Sequence, residues 1–290
     1  MTPHFGHDLA EKVLAAGNPC CVGIDPHQGL LPLEFQHQPD GVLRWGMRLV
    51  DVLFEAGVPA VKPQSAFFEA LGLESDLRTL IRYAQQTGLH VVLDAKRGDI
   101  GSTAKAYAAA TICPTGPTRA DSVTVNPYLG PESLAPFIET CHDHGKGIWV
   151  LVRTSNPGAE EWQCNEGPSA IRAPAYRIAD WIEAQNAKHG GGHSLGPIGA
   201  VVAATLTEYE RGGLRRLMPS TWFLVPGYGA QGATSSDLAS YFRPDGLGAL
   251  VVSARGVLFS PDKKPEGNDW QKRVLERARA FVGDMQTVMP

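Results

Sequence analysis

At 290 residues, with 43% apolar and 19% charged side chains, the chain has enough apolar mass for a large core, which argues against global disorder. Its formal net charge of −4 argues against a protein that coats nucleic acid, although a local basic pocket stays open. Five cysteines, at 20, 21, 113, 141 and 164, form no CxxC pairs, so neither a disulfide framework nor a zinc site is expected and a reducing cytoplasm is the simplest setting.

The first segment carries Asp8 and Glu11 and lacks a long apolar core, which is not the pattern of a signal peptide. No run of about 18 apolar residues is present to span a membrane. A helix is expected over 8–17. Eight apolar runs follow: CCVGID (20–25), PAVKP (59–63), HVVLDAK (90–96), DSVTVN (121–126), IWVLVR (148–153), GAVVAAT (199–205), TWFLVPG (221–227) and ALVVSA (249–254). Each is followed by a turn rich in Gly, Pro or Asp and then an expected helix, with clear amphipathic examples at 41–57, 65–88, 101–113, 131–145, 166–190 and 268–285. Continuous apolar strands alternating with helices imply a parallel sheet covered on its outer face. Eight units favour a closed (β/α)8 barrel over the alternative, an open doubly wound sheet. No convincing linker interrupts the pattern, so residues 1–290 read as one barrel domain with an extra N-terminal helix. The stretches 158–168 and 188–197 read as long loops.

In such a barrel, chemistry sits where strands end and loops begin. The strand ends offer Asp25, Lys62, Asp94, Lys96, Asn126, Ser155, Pro226 and Arg255, most of them polar. The densest stretch is VVLDAKRGDI (91–100), which places Asp94, Lys96, Arg97 and Asp99 within six positions. Charges there are costly unless they pair with each other or meet something charged. Asp94 and Lys96, two apart on a strand, face the same side with backbones roughly 6–7 Å apart. Lys62 offers a second cation. Asp99 has two readings: a cap for the following helix, or a member of the array.

An array of alternating carboxylates and ammonium groups can act on a substrate in two ways. A fixed carboxylate repels a bound carboxylate, and a fixed ammonium stabilises a forming carbanion and then protonates it. Two carboxylates could instead hold Mg²⁺, although a lysine between them already supplies positive charge.

The stretch VPGYGAQGATSSD (225–237) carries Gly227, Gly229, Gln231 and Gly232, and SARG follows the eighth run with Arg255. Glycine-rich loops let backbone N–H groups approach an anion, and a following helix start adds favourable partial charge. Loops seven and eight are a frequent phosphate site in barrels. Ser155 could read an amide-bearing ring or be a turn serine; Asp25 could be a turn residue or accept from a sugar hydroxyl.

LDAKRGDIGSTA (93–104), together with GIDP, VKPQSAFFE, TSNPGA, PGYGAQG and SAR in that order, resembles the orotidine 5′-phosphate decarboxylase family, in particular its longer bacterial (type 2) subgroup. The resemblance spans Asp25 to Arg255. It implies a cytoplasmic homodimeric enzyme of pyrimidine-nucleotide (UMP) biosynthesis that decarboxylates orotidine 5′-monophosphate without metal or organic cofactor, and that uses neither nucleic acid nor a membrane. Carried over by residue, Lys96 corresponds to the donor of the proton to C6, and Asp94 to the carboxylate set against the departing CO₂. Lys62 would hold Asp94 and a ribose hydroxyl. Asp99, Ile100 and Thr103 would enter the partner subunit's site. Asp25 is similar to the ribose ligand and Ser155 to the reader of the pyrimidine amide edge. Pro226 would flank the ring, and Gln231 and Arg255 would hold the phosphate. The alternatives are a Mg²⁺-dependent relative acting on sugar phosphates, such as hexulose-phosphate synthase, and a binding barrel without turnover.

Overall fold

A computed structural model describes residues 4–165, 172–190, 194–229, 234–262 and 264–289. Eight strands form a closed parallel barrel in sequence order: β1 (Cys20–Ile24), β2 (Ala60–Pro63), β3 (His90–Arg97), β4 (Ser122–Val125), β5 (Gly147–Arg153), β6 (Ile198–Val202), β7 (Phe223–Pro226) and β8 (Ala249–Ser253). β8 closes on β1 through Cys20↔Val251 and Cys21↔Val252. The eight expected runs are the eight strands. β1, β6 and β8 are buried along their whole length, the environment that makes a parallel strand read as an unbroken apolar run. Cys20 and Cys21 are packing residues: both are buried, and burial pushes the Cys21 thiol up to about 12.

The helices are α1 (Phe5–Ala16), α2 (Gly41–Glu55), α3 (Ser65–Glu69), α4 (Glu74–Thr87), α5 (Gly101–Thr111), α6 (Pro131–His144), α7 (Pro174–His189), α8 (Glu208–Leu217), α9 (Arg255–Leu258) and α10 (Trp270–Gln286). Two expectations need correction. The helix expected over 65–88 is two helices. Gly72, at φ +68°, ends the first: its N–H donates to the Glu69 carbonyl and the Leu73 N–H to the Phe68 carbonyl. That pairing closes a Schellman turn, in which only glycine is free of a side-chain penalty. The second correction is after β7, where no α-helix forms among the described residues. Short 3₁₀ turns at Ser235–Asp237 and Ala239–Tyr241 take its place. Pro244 and the left-handed Gly246 and Gly248 leave too little chain for a longer helix. The helix start expected to favour an anion beside 225–237 is therefore absent from the described residues there. α7 begins at Pro174, later than expected, and residues 166–171 lie outside the described residues.

Apolar side chains form one large cluster around the barrel wall, between strands and helices. A second cluster, with Cys21, Val92, Trp149, Trp222 and Leu250, fills the barrel, and Phe5, Leu9 and Val13 of α1 join it from below. Phe5 meets Trp149 edge-on at 5.5 Å, and Trp222 Nε1 donates to the Gly6 carbonyl at 3.1 Å. Burial of each such aromatic side chain stabilises the fold by roughly 1.5–3 kcal/mol. α1 thus plugs the lower end, leaving the opposite rim, where the strands end, as the open mouth. No helix among the described residues is long and apolar enough to cross a membrane.

Candidate active site

At that rim β2 contributes Lys62 and β3 contributes Asp94, 7% and 6% exposed. Asp94 Oδ2 accepts from Lys62 Nζ at 2.6 Å and from Gln64 Nε2 at 3.1 Å. Its Oδ1 accepts from Lys96 Nζ at 2.7 Å and from Thr124 Oγ1 at 2.9 Å. A carboxylate has about four lone-pair sites, and all four are filled by donors. Burial would push Asp94 up, but Lys62 and Lys96 outweigh it and hold the carboxyl well below the usual range. Burial would likewise lower Lys62, yet Asp94 and then Asp25 raise it above its ordinary value. Both groups therefore stay charged in a dry place. The Lys96 side chain is different: it is 47% exposed and reaches into the mouth.

The two-residue alternation expected between Asp94 and Lys96 is not a regular strand. Leu93 pairs with Val123 and Arg97 with Val125, so β3 carries extra residues between them. Lys96 itself has φ +45°.

Asp25 follows the end of β1. Burial raises its carboxyl above the usual range, with Lys62 the first opposing charge. Its Oδ1 is buried and has no hydrogen-bond partner among the described residues, an unmet acceptor that stands out because buried polar atoms are normally paired. Ser155 lies on the exposed bend after β5, with neither its hydroxyl nor its backbone N–H bonded among the described residues. Pro226 ends β7 and is half-buried. Arg255 starts α9, exposed, without an ion-pair partner among the described residues. Gly227 and Gly229 are left-handed at φ +112° and +71°. Gln231 lies outside the described residues.

Asp99 does not cap α5 through its side chain, whose N-cap position is Ile100. Among the described residues its Oδ1 accepts only from the adjacent Ile100 N–H, at 2.8 Å, and no hydrogen bond or ion pair joins it to Lys62, Asp94 or Lys96. Ile100 is 58% exposed and Thr103 is exposed too. The chain thus exposes Ile100 and Thr103 of this turn, with Asp99 half-buried beside them. Asn126 proves to be a turn residue, accepting from the Tyr128 N–H at 3.0 Å, and is not brought to the array.

Three residues escaped the sequence reading. Gln64 and Thr124 hold Asp94 as described. Gln163 clamps the chain beside Ser155: its Oε1 accepts from the Thr154 N–H and its Nε2 donates to Thr154 Oγ1, both at 2.9 Å. Gln163 sits on a π-helical turn, Glu160–Cys164, inside the long loop after β5. Arg153 ties the same turn down through Glu160 at 2.8 Å and Glu210 at 3.2 Å.

Residues 19–269 match the profile of the orotidine 5′-phosphate decarboxylase / HUMPS family. The orotidine 5′-phosphate decarboxylase of Deinococcus radiodurans is 41% identical over 90% of this chain and 91% of its own. That of Rhodopirellula baltica is 37% identical over 93% and 95%. The solved structure of Leishmania donovani OMP decarboxylase superposes with a TM-score of 0.78 at 30% identity, covering 99% of this chain and 98% of that one.

Proposed function

The chain belongs to the orotidine 5′-phosphate decarboxylase / HUMPS family, and on that premise we propose the following reading of its site. It converts orotidine 5′-monophosphate to UMP and CO₂ in pyrimidine-nucleotide biosynthesis. The observation that carries the mechanism is the saturated carboxylate of Asp94, with the half-exposed Lys96 on one of its oxygens.

With its lone pairs filled, Asp94 is a fixed negative charge and not a proton acceptor. Set against the substrate's carboxylate, it destabilises the ground state in a site from which water is excluded. The C6–carboxylate bond breaks, its electron pair remains on C6, and CO₂ leaves. The Lys96 ammonium stabilises that pair electrostatically and then gives C6 its proton, to be replenished from solvent. Because the charges are in place beforehand, stabilisation is directed at the carbanion. Lys62 keeps Asp94 ionised and reaches a ribose hydroxyl. The unmet Oδ1 of Asp25 accepts from the ribose. The unengaged hydroxyl and N–H of Ser155 read the pyrimidine amide edge, Pro226 flanks the ring, and Arg255 with Gln231 holds the phosphate. Gripping the phosphate fixes the ring against the array.

Asp99, Ile100 and Thr103, turned outward, enter the site of a second copy, making the enzyme a homodimer with shared sites. The whole chain is read as one barrel domain, at work in the cytoplasm, where its five free thiols stay reduced. Neither metal nor organic cofactor has a part in the chemistry. A Mg²⁺-dependent sugar-phosphate reaction is disfavoured because Asp94 has no lone pair left for a cation. The test is loss of orotidylate absorbance on adding the purified chain in EDTA. Turnover that vanishes in EDTA and returns with Mg²⁺ contradicts the reading.

A further inference from the structure

β3 and β4 run in step as far as Leu93↔Val123, and then Arg97 pairs with Val125: four steps on one strand against two on the other. A bulge of this kind takes backbone N–H groups out of the ladder. Here the two displaced donors, the N–H groups of Ala95 and Lys96, converge on one atom, Thr124 Oγ1, at 3.0 and 2.9 Å. Immediately after the second donor the chain passes through the left-handed φ of Lys96, a conformation uncommon for a side-chain-bearing residue.

A threonine hydroxyl has two acceptor sites and one proton. Both acceptor sites are taken by the bulge, so the proton has one direction left, and it goes to Asp94 Oδ1 at 2.9 Å. That oxygen also receives the Lys96 ammonium, at 2.7 Å. Thr124 is buried, and its hydroxyl has no capacity left for a substrate. One group therefore fixes the turn from which the Lys96 side chain departs and the oxygen on which its ammonium rests. We propose that Thr124 is a positioning residue for proton transfer, acting through Lys96 and Asp94 and not on the substrate. The proposal rests on the reading of Lys96 as proton donor.

The test compares Thr124→Val, which keeps the shape and removes the hydroxyl, with Thr124→Ser, which keeps the hydroxyl and removes the methyl. Both are made in the full chain, with kcat and KM for orotidine 5′-monophosphate and the Kd of UMP measured for each. Displacing a reacting group by about 1 Å costs about 10²-fold. Thr124→Val is accordingly expected to lower kcat about 10²-fold with little change in KM or UMP affinity, and Thr124→Ser to restore most of the loss. A Val variant with wild-type kcat overturns the proposal, as do Val and Ser variants that fall equally. If the Val variant does not fold, Thr124→Cys, of similar volume with a weak acceptor, takes its place: kcat well below that of the Ser variant supports the proposal, and equal kcat overturns it. Lys96→Ala is run alongside. Turnover that survives it removes the donor assignment and this inference together, whereas a dead Lys96→Ala beside a normal Thr124→Val removes this inference alone.

Discussion

The barrel has a charged cluster at each end, and they differ in what is left over. At the closed end, Asp121 Oδ1 accepts from Gln85 Nε2 at 2.9 Å and Lys146 Nζ at 3.2 Å, while its Oδ2 accepts from the Val91 N–H at 2.9 Å. His90 meets Ser122 Oγ at 3.2 Å, and the same oxygen accepts from Trp149 Nε1 at 2.9 Å. Burial pushes His90 down to about 4, so it is neutral at pH 7. A cleft of about 240 Å³ opens beside this cluster, yet both oxygens of Asp121 are already bonded within the chain. At the mouth the ledger does not close: among the described residues Asp25 Oδ1 is unmet and Arg255 is without a carboxylate, and Lys96 is half exposed. Buried charges that satisfy one another hold a fold, whereas charges with unspent valences await a ligand. A cleft alone does not mark the functional end, and the hydrogen bonds left unmade do.

The sharpest way to break the contrast is to change one charge at each end. Lys96→Ala is expected to reduce turnover by at least about 10⁴-fold, since on the proposed reading it removes both the proton donor and the charge beside the carbanion. Retained UMP binding checks that the fold survives. If that variant still released CO₂ at near the original rate, the mouth would be structural after all. Next in size, Asp94→Asn and Asp99→Asn are each expected to silence the proposed homodimer. Mixed dimers should regain activity that neither parent has, because one site receives two intact carboxylates; no regain argues against shared sites.

Arg255→Ala is expected to act on binding, as the proposed phosphate contact requires. Loss of a charge-assisted contact costs about 1.5–3 kcal/mol, so KM should rise about 10–100-fold with a smaller effect on kcat. A change confined to kcat would place Arg255 elsewhere. At the closed end, Asp121→Asn is expected to lower stability by about 1–3 kcal/mol in urea unfolding and to leave kcat and KM within about twofold. A collapse of kcat without loss of stability would erase the distinction between the ends.

The smallest effect is on pH dependence. Asp94 has a folded pKa depressed below its unfolded value near 3.9, so its stabilisation is in place above about pH 4 and is lost as pH falls through the folded value. Lys62, raised above about 10.4, contributes in full below that pH and loses its contribution as pH rises through the higher folded value. Between these limits Asp94 and Lys62 are both charged. Unfolding followed by urea should show a steeper acid limb for the wild type than for Asp94→Asn; equal slopes would mean that Asp94 is not held ionised by its lysines.

The strands were legible because both faces of a parallel barrel strand are buried, which writes the element as an unbroken apolar run. Gly72 was legible in principle as a helix stop, but apolar spacing continues across it in AFFEALGLESDLRTL and hid the break. Lys62, Asp94 and Lys96 announced themselves as charges in an apolar context, and the structure brings the three together. Thr124 could not be read this way. A threonine inside a strand is ordinary, and its role arises from a register shift between β3 and β4 that no local pattern encodes. Gln163 is hidden for a similar reason: it returns to Thr154 from a π-helical turn in a loop without periodicity.

The central claim is that fixed charges, with Lys96 as the acid, break the bond without a metal. It is tested most directly by turning over orotidine 5′-monophosphate in D₂O with EDTA present and following the product by NMR. The account predicts a rate in D₂O that EDTA leaves unchanged and UMP carrying one deuteron at C6. A rate that collapses until Mg²⁺ is supplied, or no decarboxylation at all, would contradict it.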